Sequence, residues 1–219
     1  MSSSDPSEIP GASIRQRRKA ERPQELLDAA LTVFVEKGLR ATRMEDVAKL
    51  AGVSKGTLYL YYSSKEELFK AVVRGALLPA LAEVKGIAER WQGATGDLLL
   101  LLLRTWWQRM GAAPGSDVFK LVVTDVGNVP ELAQFYLEEV MLPTYALLGG
   151  TLQRGMDRGE FRVVDVTTLV QSLLASAQFL ALYTHCTRHI VDNPFPMQPE
   201  VFMRTHMDLL LHGLEIRQP

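Results

Sequence analysis

The sequence predicts an all-α protein. Apolar residues recur at three- and four-residue spacing along most of the chain, as they do on the buried face of a helix, and no useful stretch alternates as a strand would. Gly and Pro residues interrupt these stretches at intervals that suit helices of ordinary length. With 219 residues, of which 47% are hydrophobic, the chain can bury a sizeable core in one or two domains.

The N-terminal segment predicts a tail followed by a first helix. Residues 1–14 are rich in Ser, Pro and Gly and are expected to be disordered. A basic cluster then comprises Arg15, Arg17, Arg18, Lys19 and Arg22. It is either the solvated start of a helix or an arm that contacts the DNA backbone or minor groove. Pro23 suits the first turn of a helix, which Gly38 is expected to end.

Two short helices joined by a glycine turn are predicted next. Thr42 and Glu45 have the spacing of a capping box at the start of the first helix. The predicted buried face of this helix comprises Met44, Val47, Ala48 and Ala51. Gly52 can adopt the left-handed conformation that ends a helix, and Ser54 is placed to cap the second helix.

The second short helix spans Lys55 to Tyr62 in this prediction. A rotation of about 100° per residue turns Leu58 and Tyr62 inward. The other side chains are suited to DNA: lysine, threonine and tyrosine to phosphates, glycine to close approach of the backbone, and leucine to a thymine methyl group. The predicted contacts are Lys55, Gly56, Thr57, Tyr59, Leu60 and Tyr61. Such a pair of helices is typical of a helix-turn-helix, although short helices with a glycine turn and a solvated polar face also occur in many other all-α proteins.

A long helix is predicted from Ser64 to about Gly86. Ser64 and Glu67 form a second capping-box pattern, and Pro79 is expected to kink or break the helix. Lys65 lies in the first turn, where helix N-terminal amides favour an anion such as phosphate. This helix would be the mechanical link between the N-terminal head and the rest of the chain.

The same residues resemble the DNA-binding domain of the TetR family of transcriptional regulators. The resemblance covers about forty residues and rests on Phe34-Val35-Glu36-Lys37-Gly38, on Thr42 to Val53, and on the pattern from Lys55 to Leu68, with Tyr62 where the family usually has Phe. It implies DNA contacts at Thr42, Arg43, Lys55, Gly56, Thr57, Tyr59, Leu60, Tyr61 and Lys65. It further implies a homodimer on a palindromic operator and, in most members, repression that a small ligand relieves.

Charge and cysteine usage agree with a cytoplasmic DNA-binding protein. The net charge of −1 divides into +3 for residues 1–75 and −4 for residues 76–219, and a mildly basic head suits phosphates. The single cysteine, Cys186, fits a reducing compartment. The apolar run Leu98 to Leu103 is far shorter than the ~20 residues of a membrane span, so no membrane partner is expected.

Five further helices are predicted, at roughly 97–111, 116–127, 130–156, 165–191 and 199–216. The predicted domains are a tail over 1–14, a helix-turn-helix DNA-binding domain over 15–68, and a helical ligand-binding and dimerisation domain over 69–219. By the resemblance, the last two helices pair with their mates across a two-fold axis. The expected interface residues are Leu169, Leu173, Ala177, Leu180, Phe202 and Leu209.

Aromatic and methionine side chains over 97–190 suggest an apolar ligand pocket with a few polar anchors. The candidate residues are Trp106, Trp107, Met110, Phe119, Asp125, Tyr136, Tyr145, Gln178 and Tyr183. The alternative for each of them is ordinary core. The segment Asn128 to Leu132 loosely resembles effector domains of family members that control efflux pumps, which hints at a hydrophobic ligand. His185, Cys186 and His189 lack a nearby fourth ligand, so no metal or other cofactor is predicted.

The favoured hypothesis is a dimeric repressor released by a small, largely hydrophobic ligand. Ligand binding would tilt the helix that begins at Ser64 and alter the spacing of two heads that must fit major grooves about 34–36 Å apart. A ligand-independent or activating regulator with the same head remains an alternative. A helical enzyme or carrier is disfavoured, because the sequence has no phosphate loop, HExxH pattern, Gly-x-Ser-x-Gly elbow or suitably spaced acid pair.

Overall fold

The computed structural model describes the backbone of residues 10–111, 115–187 and 190–214, and their side chains except those of 10–21 and 185. This part of the chain is almost wholly helical and contains no β-strand. In chain order the α-helices are α1 (Pro10–Ala41), α2 (Met44–Leu50), α3 (Lys55–Tyr61), α4 (Lys65–Arg90), α5 (Thr95–Met110), α6 (Gly115–Asp125), α7 (Pro130–Tyr136), α8 (Leu142–Asp157), α9 (Val166–Thr187) and α10 (Pro199–Leu214). The chain divides into two compact units, Met1–Val72 and Val73–Pro219.

Helix α1 begins at Pro10, well before the predicted start at Pro23. The expected start at Pro23 was therefore wrong, whereas the tail predicted over residues 1–14 lies mostly outside the described part and stays a prediction. The sequence between the two prolines is rich in Arg, Lys, Glu, Gln and Ala, which favour helix strongly enough to continue through a proline. Residues 1–9 and the side chains of Arg15 to Lys19 lie outside the described part, so the two interpretations of the basic cluster stay open.

Glycine ends the regular part of α1 as expected. Gly38 has φ 74° and ψ 161°, a conformation that costs glycine little, and a single turn follows it. The core of the N-terminal unit is formed by buried residues of the first four helices: Leu26, Ala30, Phe34, Val47, Leu58, Leu68 and Phe69. The rings of Phe34 and Phe69 meet edge to face with centroids 5.6 Å apart, so the start of α4 belongs to this core.

Helix α4 runs without a break through Pro79, so of the two expected effects, a kink or a break, the break was wrong. Proline removes one backbone N–H, which leaves the carbonyl of Gly75 without its helical partner. Gly75 and Pro79 are both exposed, and water can satisfy that carbonyl. One helix therefore contributes Leu68 and Phe69 to the N-terminal core and continues for several further turns in the C-terminal unit.

The C-terminal unit is built from the later turns of α4 and from α5 to α10, around apolar clusters. The main cluster contains the buried residues Leu99, Leu152, Phe161, Val170, Leu173, Met207 and Leu214. The five predicted helices are confirmed to within a few residues, with one exception. The stretch predicted as a single helix over 130–156 contains a π-helical segment at Leu137–Met141, between α7 and α8. Such segments insert an extra residue into the helical turn and often occur at functional sites.

The N-terminus of α5 is capped by a carboxylate that is distant in sequence. Ala94, the residue before α5, offers no side-chain cap, and the Glu160 carboxylate accepts from the Thr95 amide instead. Partial burial raises the pKa of Glu160, but the hydrogen bonds from Thr95 and the nearby Arg158 and Arg154 outweigh it, and the net pKa lies below its usual value. Glu160 therefore joins the α8–α9 connection to α5.

Helix α9 is the only described helix long and apolar enough to cross a membrane, over Val166–Thr184, by length and composition alone. A core helix of a soluble protein passes the same test. Only part of this segment is buried within the chain. Its exposed side chains recur at three- and four-residue spacing and include Thr168, Ser172, Ala175, Phe179, Leu182 and Cys186.

Candidate nucleic-acid interface and ligand cavity

The turn between α2 and α3 has the predicted geometry. Gly52 has φ 66°, in the left-handed region that glycine adopts readily. The Ser54 hydroxyl accepts from the Thr57 amide at 3.0 Å and thereby caps α3. At the start of α4 the Ser64 hydroxyl accepts from the Glu67 amide at 3.1 Å. The caps predicted at Ser54 and Ser64 are therefore confirmed.

The capping box predicted at Thr42 is wrong. Arg43 occupies the N-cap position of α2 and makes no side-chain cap. The Thr42 hydroxyl instead donates to the Gly38 carbonyl at 2.8 Å, and the residue is only 3% exposed. A hydroxyl at the end of α1 finds unsatisfied carbonyls nearby, and these compete with the next helix. Burial also removes the Thr42 side chain from the predicted DNA contacts, whereas that of Arg43 is exposed.

Helix α3 presents the predicted outer face. Leu58 is fully buried, while Lys55, Gly56, Tyr59, Leu60 and Tyr61 are exposed and Thr57 is half-buried. Leu60 is 86% exposed, which is unusual for a large apolar side chain. A Cβ added at Gly56 would meet only the Ser54 hydroxyl at 3.8 Å, so packing within the chain does not require glycine there.

Lys55 is held by two neighbours. Its ammonium forms an ion pair with Glu45 on α2 and lies 5.7 Å from the centre of the Tyr59 ring. The hydrogen bond and charge of Glu45 raise the pKa of Lys55, and Lys55 in turn lowers the pKa of Glu45. Both groups are exposed, so the pair orients the lysine at the surface without removing it from solvent.

Lys65 has a structural role that the sequence did not reveal. Its ammonium donates to the carbonyl of Arg40 at 3.2 Å and to that of Thr42 at 3.1 Å. These carbonyls lie at the end of α1, where backbone acceptors lack helical partners. Lys65 therefore ties α4 to α1, and only its third N–H is left for the phosphate contact predicted from the sequence.

The C-terminal unit contains an apolar cavity of 130 Å³. Helices α4 to α9 and the π-helical segment all contribute to its walls. Predicted ligand residues among its lining are Trp106, Met110, Phe119, Tyr136 and Gln178. Lining residues that the sequence analysis did not select for the ligand site include Leu77, Ala80, Leu81 and Val84 of α4, Val140 and Met141 of the π-helical segment, and Thr144 of α8. The periodic apolar spacing along α4 could have identified the four α4 residues from the sequence.

Four predicted ligand residues do not line this cavity, so the structure corrects them. The Trp107 ring packs over Gly111, and Tyr145 packs on the main apolar cluster. Asp125 accepts a hydrogen bond from Thr124 at 3.0 Å, and the Tyr183 hydroxyl donates to the Phe195 carbonyl at 2.6 Å. Composition selected the region that contains the cavity, but it could not show which helix face turns toward the cavity.

Models of known protein families match segments of both units. A family model described as bacterial regulatory proteins, tetR family, matches residues 26–72, and one described as the C-terminal domain of AefR-like transcriptional repressors matches residues 97–190. The uncharacterized HTH-type transcriptional regulator YfiR of Bacillus subtilis is 33% identical over 157 residues, which are 69% of this chain and 74% of YfiR. The chain belongs to the TetR family.

Two further comparisons agree with this TetR assignment. The HTH-type transcriptional repressor KstR2 of Rhodococcus jostii is 31% identical over 145 residues, which are 66% of this chain and 70% of KstR2. The crystal structure of the regulator FadR from Bacillus subtilis, in complex with stearoyl-CoA, shares the fold. It matches with a TM-score of 0.73 and 19% identity, and covers 87% of this chain and 98% of FadR. This TetR-family protein is thus a DNA-binding transcriptional regulator and not an enzyme.

The interface residues predicted for this TetR-family chain fall into three groups by exposure. Leu173, Ala177 and Leu180 are buried within the chain, so a second copy cannot reach them, and the prediction was wrong there. Leu169 and Phe202 are half-buried, Leu169 against the main cluster and Phe202 stacked on His206 at 6.1 Å between centroids. Leu209 is 69% exposed. Apolar residues repeat on two faces of α9. The prediction placed the dimer interface on the face that the structure shows to be buried within the chain.

The predicted metal candidates are only partly described. The side chain of His185 and all of His189 lie outside the described part, and Cys186 is an exposed free cysteine. Among the residues that the structure describes, no group of three or more His, Cys, Asp or Glu side chains could hold a metal ion.

Proposed function

We propose that this protein is a homodimeric repressor that binds a palindromic operator through its two helix-turn-helix heads and leaves it when an apolar small molecule binds. KstR2 is by name a transcriptional repressor, and the FadR structure contains an acyl-CoA. The observation that carries the proposal is the course of α4. The first turns of this single helix belong to the core of the N-terminal unit. Further along, its residues Leu77, Ala80, Leu81 and Val84 line the cavity.

The outer face of α3 supports the DNA-binding part of the proposal. Lys55, Tyr59 and Tyr61 supply groups for phosphates, and Leu60 supplies an apolar surface for a thymine methyl group. Folding alone gives no reason to expose Leu60 so fully or to keep glycine at position 56. The same features are expected of a helix that lies in the major groove.

A contact between α4 and the π-helical segment supports the ligand response. The guanidinium of Arg74 donates to both oxygens of Glu139, at 2.7 and 2.6 Å, and lies 4.9 Å from the centre of the Phe135 ring. Val140 and Met141, which directly follow Glu139, line the cavity. A ligand that moves these two side chains must also move Glu139, and the bidentate ion pair would transmit that movement to α4.

The exposed face of α9 supports a homodimer. Its apolar stripe comprises Ala175, Phe179 and Leu182, of which Phe179 is 53% exposed, and Val201 and Leu209 are exposed on α10, which packs against α9. Large apolar side chains exposed on neighbouring helices are typical of a protein contact. A second copy would cover it and would also bring two recognition helices to one operator, because a single helix reads too few base pairs for useful specificity.

Fluorescence anisotropy with labelled duplex DNA tests the proposal. The probe is the DNA directly upstream of the gene for this chain, and an unrelated duplex of equal length is the control. We expect tight retention of the upstream DNA only, and release on addition of apolar compounds. Retention that no compound alters would indicate a ligand-independent regulator, and absence of retention even in dilute salt would refute the proposal.

A further inference from the structure

The chemistry of the cavity wall limits what can bind there. Aliphatic and aromatic side chains form most of the lining, including the rings of Trp106, Phe119 and Tyr136. None of the described residues that line the cavity carries a formal charge. A charged group inside would lose its hydration and meet no counter-charge, which is far more costly than burial of a neutral polar group.

Four lining residues carry polar groups, namely Trp106, Tyr136, Thr144 and Gln178, and the indole N–H of Trp106 can only donate. The Thr144 hydroxyl already donates to the Val140 carbonyl at 2.7 Å. Within the described part of the chain, neither the Tyr136 hydroxyl nor the Gln178 amide has a side-chain hydrogen-bond partner. Burial raises the pKa of Tyr136, so its hydroxyl stays protonated at neutral pH. A phenol and an amide can each donate and accept, so together they can bind a carbonyl or a hydroxyl group.

The volume of the cavity indicates the size of its occupant. It measures 130 Å³. An apolar cavity of about 150 Å³ in another protein stays dry and binds benzene. The cavity as described therefore accommodates a molecule of about the size of one aromatic ring.

We infer that the effector is an uncharged, mainly apolar molecule of this size, with one hydrogen-bonding group that Tyr136 and Gln178 bind. This inference rests on the proposed ligand response and specifies its chemistry. It distinguishes neutral ring compounds from carboxylates of the same shape, because the cavity offers hydrogen-bond donors and acceptors but no positive charge.

Isothermal titration calorimetry of the full chain at neutral pH with three probes of nearly equal shape tests the inference. Acetophenone is a neutral ketone, benzoate is its anionic counterpart, and α-methylstyrene is a hydrocarbon with a carbon in place of the ketone oxygen. We expect acetophenone to bind about fivefold more tightly than α-methylstyrene. We expect benzoate to bind about a hundredfold more weakly than acetophenone.

Two substitutions locate the hydrogen-bonding group. Tyr136→Phe and Gln178→Leu should each weaken acetophenone binding about fivefold while leaving α-methylstyrene binding nearly unchanged. Tyr145→Phe and Gln153→Leu are matched controls on α8, because neither residue lines the cavity. These two controls should bind all three probes as the unmodified chain does.

The outcomes separate this inference from the proposed function. Benzoate binding as tight as acetophenone binding, or no binding of any probe at millimolar concentration, would overturn the inference. Equal loss of ketone and hydrocarbon binding in both cavity variants would also overturn it, because the role of the two polar groups would then be packing. Operator retention, measured on the same preparations by anisotropy, tests the proposed function independently and is unaffected by any of these results.

Discussion

Lys55 shows how a single charge can be oriented before DNA arrives. Its ammonium is paired with Glu45 and lies against the Tyr59 ring, at the surface of the helix expected to enter the groove. A phosphate that approaches must compete with Glu45 for this lysine. The ion pair therefore sets the position of Lys55 and reduces its contribution to DNA affinity at the same time.

Glu45→Gln should strengthen operator binding, because it removes a negative charge near the phosphates and releases Lys55. Lys55→Gln should weaken binding and lower the salt slope, −d log K/d log[salt], by about 0.9. Anisotropy titrations over a range of salt concentrations measure both effects. Glu36→Gln makes the same charge change on the exposed side of α1 and serves as the control. Unchanged affinity and slope in both variants would place Lys55 outside the DNA interface.

Gly56→Ala should separate stability from binding. The added Cβ meets only the Ser54 hydroxyl at 3.8 Å, and alanine favours a helix by about 0.5 kcal/mol or more over glycine. The free energy of unfolding should therefore stay equal or rise, while operator affinity falls because the DNA backbone can no longer approach α3 as closely. Chemical denaturation and anisotropy measure the two quantities. Lower stability together with unchanged affinity would show that glycine serves the fold.

At the scale of elements, sequence patterns predicted the helices better than their contacts. The caps at Ser54 and Ser64 and the turn at Gly52 depend on neighbouring residues, and the structure confirms them. The Thr42 cap failed because the Gly38 carbonyl, although also local, is a competing acceptor that the capping-box pattern ignores. The cap of α5 could not be foreseen, since its carboxylate, Glu160, lies far along the chain.

Glu160→Gln should destabilise the protein by about 1 kcal/mol at neutral pH, through a weaker cap on α5. The pKa of Glu160 is lowered in the folded chain, so its contribution is present above the unfolded pKa of about 4.3 and is lost as the pH falls through the folded value. The difference in free energy of unfolding between variant and unmodified chain should therefore shrink below about pH 4. Chemical denaturation at several pH values measures it, and a difference that is independent of pH would contradict this role.

The ion pair between Arg74 and Glu139 should control the response to ligand. Glu139→Gln replaces the bidentate charge-assisted pair with a weaker hydrogen bond, so ligand binding should move α4 less. We expect similar operator affinity without ligand, similar ligand affinity, and a several-fold higher ligand concentration for release. Glu138→Gln changes the adjacent, exposed carboxylate and is the control. Release at the same ligand concentration in both variants would exclude this route.

At the scale of the whole molecule, the fold class followed directly from the periodic apolar spacing, and the family followed from a short motif. The ligand residues and the dimer surface were harder to predict from the sequence, because α9 carries apolar side chains on two faces. Ala177 and Phe179 are close in sequence, yet one lines the cavity and the other is exposed. Which face is buried depends on helices far away in sequence, and spacing along one helix does not contain that information.

Phe179→Glu and Leu209→Glu should convert the proposed dimer into monomers, since each places a charge on the exposed apolar stripe of α9 or on α10. Operator affinity should fall steeply, because two linked recognition helices bind far more tightly than one. Val163→Glu makes the same change at an exposed residue between α8 and α9 and is the control. Analytical ultracentrifugation measures the oligomeric state, and dimers that persist in both variants would place the interface elsewhere.

Operator binding by variants of α3 tests the central claim, that its outer face contacts duplex DNA, most directly. Tyr59→Ala and Leu60→Ala remove exposed side chains and should leave the unfolding midpoint nearly unchanged. Anisotropy with the upstream duplex should then show at least about a tenfold loss of affinity for each variant. Affinity equal to that of the unmodified chain in both variants would contradict the account.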